Sequence, residues 1–237
     1  MLCSLLNPVG IELISPILHF NNSDFRNMVR GVWDSLRFLC SIVPEQSCST
    51  QVHISPDIDY TVVQLKAIAR AVLYFEPAFN ALAAPHRRGN TWCKSFYASH
   101  PEFKDTEHDP QLAIAKLDGV EEKDDIIDLM NPDSKGYVWN FESLRRYGSL
   151  EFRQAPGVTT ADETLAWVEF ALTFINAALR KLPASYQDLY PAFPPNVGGL
   201  KMFLQAGTVG GVSKESLLKQ ITARAKNSAA IPGEAPQ

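Results

Sequence analysis

The chain has 237 residues, and 22 Lys and Arg against 26 Asp and Glu give a formal net charge of −4. This mild acidity argues against a broad nucleic-acid surface, which needs clustered cations, and a content of 46% hydrophobic and 20% charged residues argues against a disordered chain. The 4 cysteines form no CxxC pair, which disfavours a zinc ribbon or a disulfide framework.

No targeting or membrane segment stands out. The first residues lack the basic start and apolar core of a signal peptide, and no apolar run approaches the roughly 20 residues that cross a bilayer. We therefore expect a cytoplasmic protein with one domain over residues 1–225 and a disordered tail over 226–237.

The first half of the chain alternates between strand and helix patterns. Residues 9–20 form a β-rich run that is broken at Pro16, because proline cannot donate a hydrogen bond within a sheet. Apolar residues then recur at helical spacing over 24–43 and again over 61–82. Between these helices, alternating polar and apolar side chains over 51–55 predict a short strand.

The middle of the chain is more polar. Residues 85–109 have the mixed, irregular composition of a functional loop. One or two short helices follow over 110–130, and their many Asp and Glu residues give them an acidic surface. The spacing of these acids does not fit a calcium loop, so it favours a solvated face over a cation site.

The last part of the chain predicts two neighbouring strands and a long helix. Strands over 137–144 and 149–154 are separated by a short turn, which favours antiparallel pairing. The clearest helix covers 162–182, and a short one follows over 213–225. Because the strands and helices do not alternate regularly, we predict an α+β fold with an antiparallel sheet packed against helices.

Three predicted strands carry polar side chains at alternate positions, which places each set on one face of its strand. Such a face could bind divalent cations through carboxylates and phosphates through Arg and His. The alternative is an ordinary solvated sheet face. The residues are Glu12 on the first strand, Gln51, His53 and Ser55 on the second, and Glu151 and Arg153 on the third.

Four segments together resemble a known family. In order, they are similar to the family patterns G-[VI]-E-L-[VI]-S-P-[IL]-L, C-G-x-H-V-H-[VI]-S, R-x-x-N-x-x-C-[KR]-S and T-[IL]-E-F-R-Q-x-x-G. This ordered set resembles the amidoligases that are common in fungi, whose fold is similar to the catalytic domains of glutamine synthetase and glutamate–cysteine ligase. The segments in this chain are Val9–Leu18, Cys48–Ser55, Arg87–Ser95 and Tyr147–Gly157.

The resemblance implies a ligase that uses ATP and Mg²⁺ to join a small-molecule carboxylate to an amine through an acyl phosphate. By this similarity, Glu12 and Glu151 are expected to bind the metal, and Gln51 takes the place of a third ligand. The expected catalytic residues are His53, Glu151 and Arg153, with Arg153 stabilising the transferring phosphoryl group.

The same resemblance implies a nucleotide site. His53, Ser55 and Arg153 are expected to face the ATP phosphates. An arginine and an amide side chain of the loop over 85–109 are also expected to bind the nucleotide or the substrate. A solvent-exposed arginine pair without a ligand explains these loop residues equally well. The loop residues are Arg87, Arg88 and Asn90.

Two departures from the family pattern favour an alternative function. Gln51 stands where the family has a histidine, and glutamine is a poor substitute for a nitrogen ligand. The family pattern also begins with an upstream strand that carries paired glutamates, and this sequence starts after that point. The alternative is therefore an inactive relative that keeps the fold and binds a ligand or a partner protein.

A thiol hydrolase is excluded, because strand geometry separates Cys48 from His53 by more than a hydrogen bond.

Overall fold

The computed structural model describes residues 10–20, 24–43, 45–104, 106, 109–181, 189 and 191–207. The predicted helix over 213–225 and the tail over 226–237 lie outside these residues, so the predicted domain bounds stay a prediction. Within the described part of the chain, no helix combines the length and apolar character that a bilayer span requires.

A small antiparallel sheet of three strands organises the fold. Its strands are β1 (Ser49–Ile54), β2 (Trp139–Asn140) and β3 (Leu150–Pro156), and β3 lies in the centre. In the register, Glu151 of β3 lies opposite His53 on one side and opposite Asn140 on the other. The predicted antiparallel neighbours and the α+β class are confirmed.

Eight α-helices and a short 3₁₀ turn surround this sheet in the described residues. Thr61 begins the second helix with a capping box, in which its hydroxyl accepts from the Gln64 amide and the Gln64 side chain accepts from the Thr61 amide. The elements are α1 (Phe25–Leu39), α2 (Val62–Leu82), the 3₁₀ turn (Pro85–Arg87), α3 (Phe96–Ser99), α4 (Pro110–Asp118), α5 (Lys123–Met130), α6 (Ser143–Tyr147), α7 (Ala161–Lys181) and α8 (Val197–Ala206).

One face of the sheet forms the core with α2, α7 and α8. The ring of Phe152 on β3 lies against Phe79 of α2 and Phe170 of α7, and Phe174 completes this group of buried aromatic side chains. Since neighbouring side chains on a strand point to opposite faces, Glu151 and Arg153 point away from this core. Arg153 contacts the segment that follows α2, through the Trp92 carbonyl and Arg87.

Three expectations about secondary structure were wrong in part. Residues 10–20 contain no strand and are largely exposed, so Glu12 does not join the sheet. The strand predicted over 137–144 is only the two residues of β2, and α6 replaces the turn after it, ending at Gly148 with a left-handed φ of 64°. The first helix ends at Leu39, because Cys40 turns to an extended conformation before Pro44 is reached.

Candidate functional site

Glu151 is the centre of a buried group of polar side chains on the sheet. Only 3% of its surface is exposed. Arg153 Nη1 donates to Glu151 Oε1 at 2.5 Å, and Asn140 Nδ2 donates to Oε2 at 2.6 Å. His53 Nε2 lies 3.5 Å from Oε1. Both carboxylate oxygens therefore have donors, Asn140 on β2 and Arg153 on β3, and the His53 ring of β1 lies beside Oε1.

His53 is the member of this group that reaches solvent, with 41% of its side chain exposed. Its Nδ1 lies 3.0 Å from Ser149 Oγ and 3.2 Å from Ser143 Oγ, and both serines are buried. The two serine hydroxyls can each donate or accept, so they hold Nδ1 in either tautomer of the ring. This arrangement fixes the orientation of the ring.

Arg87 adds a second guanidinium beside Arg153. It is 2% exposed, and its Nη2 donates to the Arg153 carbonyl at 2.6 Å. Burial lowers the pKa of Arg87, an effect that the nearby Arg153 increases and Cys93 opposes. No acceptor among the described residues bonds Arg87 Nε, and no described carboxylate pairs with Arg87. We call His53, Arg87, Asn140, Glu151 and Arg153 the sheet cluster.

Cys93 does not supply a second anion to this cluster. Its thiol is buried and donates to the Arg87 carbonyl at 3.2 Å. Burial raises the pKa of Cys93 above its ordinary value, although the two guanidiniums act in the opposite direction. The thiol therefore stays neutral at physiological pH. Of the two buried guanidiniums, only that of Arg153 pairs with a carboxylate among the described residues.

The remaining predicted site residues lie outside this cluster. Gln51 and Ser55 are exposed at β1 and just after it. Arg88 is exposed and donates to the Ala83 carbonyl, so only one arginine of the predicted pair is buried. Asn90 organises its own loop, since it donates to the His86 carbonyl and accepts from the Trp92 amide. Glu12 lies in the exposed segment 10–20.

These positions test how well the expected metal ligands fit a resident magnesium ion. Glu151 Oε1 already accepts from the Arg153 guanidinium, so a cation bound there would lie beside a like charge. Gln51 is exposed, and Glu12 lies outside the sheet. Among the described residues, no group of three or more His, Cys, Asp or Glu is arranged to hold a metal. The side chains present do not fit a resident Mg²⁺ site.

Three members of the hydrogen-bond network were missed from the sequence. Ser149 shares the alternation of Glu151 and Arg153, so the same pattern could have identified it. Asn140 and Ser143 carry no comparable local signal. They reach Glu151 and His53 only through the β2–β3 pairing and the short helix α6.

Comparison with known proteins identifies the family. A family model described as "Putative amidoligase enzyme" matches residues 5–175, which is more than half of the chain. The chain belongs to this family. The match includes every residue of the sheet cluster, and membership of the amidoligase family indicates an enzyme of the ligase type. No curated protein and no solved structure matches the chain.

Proposed function

We propose that this amidoligase joins a small-molecule carboxylate to an amine at the expense of ATP. A carboxylate oxygen attacks the γ-phosphorus of ATP, the bond to the ADP oxygen breaks, and an acyl phosphate forms. The amine nitrogen then attacks the acyl carbon, the bond from carbon to the phosphate oxygen breaks, and the nitrogen loses a proton as the amide forms. We further propose that the α+β fold resembles the glutamine synthetase catalytic domain.

The excess of buried positive charge in the sheet cluster carries this proposal. Arg87 and Arg153 are 2% and 4% exposed, and Glu151 is the single carboxylate paired with either of them in the described residues. A buried charge without a partner is unfavourable, so such a site is completed by an anion. Guanidinium groups bind phosphate and carboxylate oxygens through directed, charge-assisted hydrogen bonds. Both substrates of the first step carry such oxygens.

The cluster residues have distinct roles in this proposal. Arg153 stabilises the negative charge of the transferring phosphoryl group, and Arg87 adds a second positive charge behind it. His53 lies at the entrance to the anion site, because its side chain is half-exposed. Ser143 and Ser149 hold its ring in place. The nucleotide enters as its magnesium complex, so the metal arrives on the phosphate oxygens as part of the substrate.

The test is release of inorganic phosphate from magnesium–ATP in the presence of amino acids as acids and a panel of amines. We expect release that requires both an acid and an amine, with the amide product detected by mass spectrometry. Arg153→Lys keeps the charge and loses the planar fork, so we expect activity to fall by about 100-fold. Arg88→Lys is the matched control, since Arg88 is exposed and lies outside the cluster.

A second candidate function is a binding protein without catalysis. The full engagement of Glu151 by Arg153 and Asn140, together with the exposed Gln51, favours this alternative. It predicts saturable binding of magnesium–ATP with no phosphate release for any acid and amine pair. Turnover that depends on both substrates would reject it.

A further inference from the structure

We infer that Glu151 is the counter-ion that positions Arg153, and that it is not a metal ligand. The inference concerns the site of the proposed function, and its catalytic meaning rests on that proposal. The structural part of the inference does not depend on the proposed function, because the positioning of Arg153 can be measured without ATP or turnover.

The position of Glu151 in the sheet surrounds its carboxylate with side chains of all three strands. It lies on the central strand β3, with His53 and Asn140 as its cross-strand neighbours, and it is 3% exposed. The side chains of His53 on β1, Asn140 on β2 and Arg153 on β3 therefore surround one carboxylate, and Asn140 and Arg153 donate to it. A divalent cation needs several oxygen ligands, whereas the side chains around Glu151 offer nitrogen donors that carry hydrogen.

Two hydrogen bonds hold the Arg153 guanidinium in one orientation. Its Nη1 donates to Glu151 Oε1 at 2.5 Å, and its Nε donates to the Trp92 carbonyl at 3.1 Å. These two bonds on different nitrogens fix both the position and the plane of the guanidinium. Nη2 makes no hydrogen bond to a described residue, so its two N–H groups remain for a ligand.

The two arginines make different contacts. Arg87 donates to the Arg153 carbonyl and so supports the backbone of β3 at the same residue. Glu151 pairs with Arg153 and has no bond to Arg87 in the described residues. The single carboxylate thus orients one guanidinium and leaves the second charge uncompensated. Removal of Glu151 would release Arg153 from its fixed plane.

The experiment follows the Arg153 Nε–H resonance by NMR, assigned through its loss in Arg153→Lys. We expect Glu151→Gln to increase hydrogen exchange at this group by about tenfold or more, because loss of the charge-assisted bond at Nη1 frees the guanidinium plane and so weakens the Nε–H bond to the Trp92 carbonyl. The matched control is Glu169→Gln, which removes the α7 carboxylate that pairs with Arg26 of α1 at 2.8 Å and has no ion pair with Arg153. We expect this control to leave Arg153 unchanged.

A second measurement needs no variant and therefore does not depend on whether Glu151→Gln folds. Mn²⁺ is added alone to the wild-type protein, and the same resonance is observed. We expect it to stay sharp, because no paramagnetic ion binds at Glu151. Broadening by stoichiometric Mn²⁺, or unchanged exchange in folded Glu151→Gln, would overturn the inference. Neither result depends on turnover, so failure of the ligase assay is a separate outcome.

Discussion

Two groups of arginine and carboxylate side chains in this molecule have opposite settings. In the sheet cluster, Arg87 and Arg153 are both buried, and Glu151, which pairs with Arg153, is the one carboxylate paired with either of them in the described residues. On the surface near α5 and α6, Arg145 faces three carboxylates, those of Asp124, Asp128 and Glu142, at 3.3, 2.8 and 2.9 Å. The first group has excess positive charge and the second has excess negative charge.

The difference between the two groups shows that burial determines whether an unpaired charge is tolerated. Water and salt screen the exposed group, so its imbalance is tolerated and its ion pairs contribute little to stability. The buried group is not screened in this way, and each of its charges must be compensated by a neighbour or by a ligand. An imbalance that is ordinary near Arg145 is therefore a functional signal at Arg87.

The largest expected effect is the loss of the buried counter-ion. Glu151→Leu leaves Arg153 buried without a partner, and we expect the free energy of unfolding to fall by about 3–5 kcal/mol. Urea denaturation measures this change. The double variant Glu151→Leu/Arg153→Met removes both charges and should recover a large part of the loss. Equal stability of the wild type and the single variant would contradict a buried ion pair.

The buried side chain of His100 adds a third case to this comparison, a titratable group that burial keeps neutral. His100 is fully buried and stacked on Phe103, and burial lowers its pKa from 6.5 to about 4. The unfolded chain therefore binds more protons between these values, and stability falls as the pH falls from 6.5 towards 4. The expected loss is about 3 kcal/mol in this window.

The control for this pH dependence is His100→Phe, which keeps an aromatic ring beside Phe103 and removes the titrating group. Carboxylates elsewhere in the chain also titrate near pH 4, so the difference between the two proteins is the quantity to measure. Urea denaturation at pH 7, 6, 5 and about 4 gives this difference. Parallel pH profiles for wild type and variant would show that His100 is not held neutral.

The smallest expected effect is at the surface group. Arg145→Gln removes the cation that pairs with three exposed carboxylates. We expect the free energy of unfolding to change by less than about 1 kcal/mol, and the change to shrink further in 0.5 M salt. A loss as large as that of Glu151→Leu would show that burial is not what separates the two groups.

The sequence was sufficient for the parts of the site that depend on local patterns. Alternation placed Glu151 and Arg153 on one face of a strand, and helical spacing predicted α2 and α7 within a residue or two. These features need only neighbours in the chain. The family resemblance was carried by four short segments, one of which contains Glu151 and Arg153, and the family match confirms it.

The parts that could not be predicted depend on partners far away in the sequence. A β-rich pattern over 9–20 indicates a preference for extended backbone, but a strand also needs a neighbouring strand, and the described part of this segment, residues 10–20, pairs with none. The sequence alone does not distinguish the neighbouring residues Arg87 and Arg88, yet the 3₁₀ turn buries Arg87 beside β3 and leaves Arg88 exposed. The network around His53 depends on Ser143, which α6 brings 3.2 Å from the ring.

The most direct test of the proposed anion site is isothermal titration calorimetry with magnesium–ATP on three proteins: wild type, Arg87→Met and Arg145→Gln. The two variants each remove one arginine, one from the buried group and one from the exposed group. We predict that Arg87→Met weakens binding by about tenfold or more, whereas Arg145→Gln stays within about twofold of wild type. Equal affinity in all three folded proteins would contradict the claim that the excess positive charge of the sheet cluster binds the nucleotide.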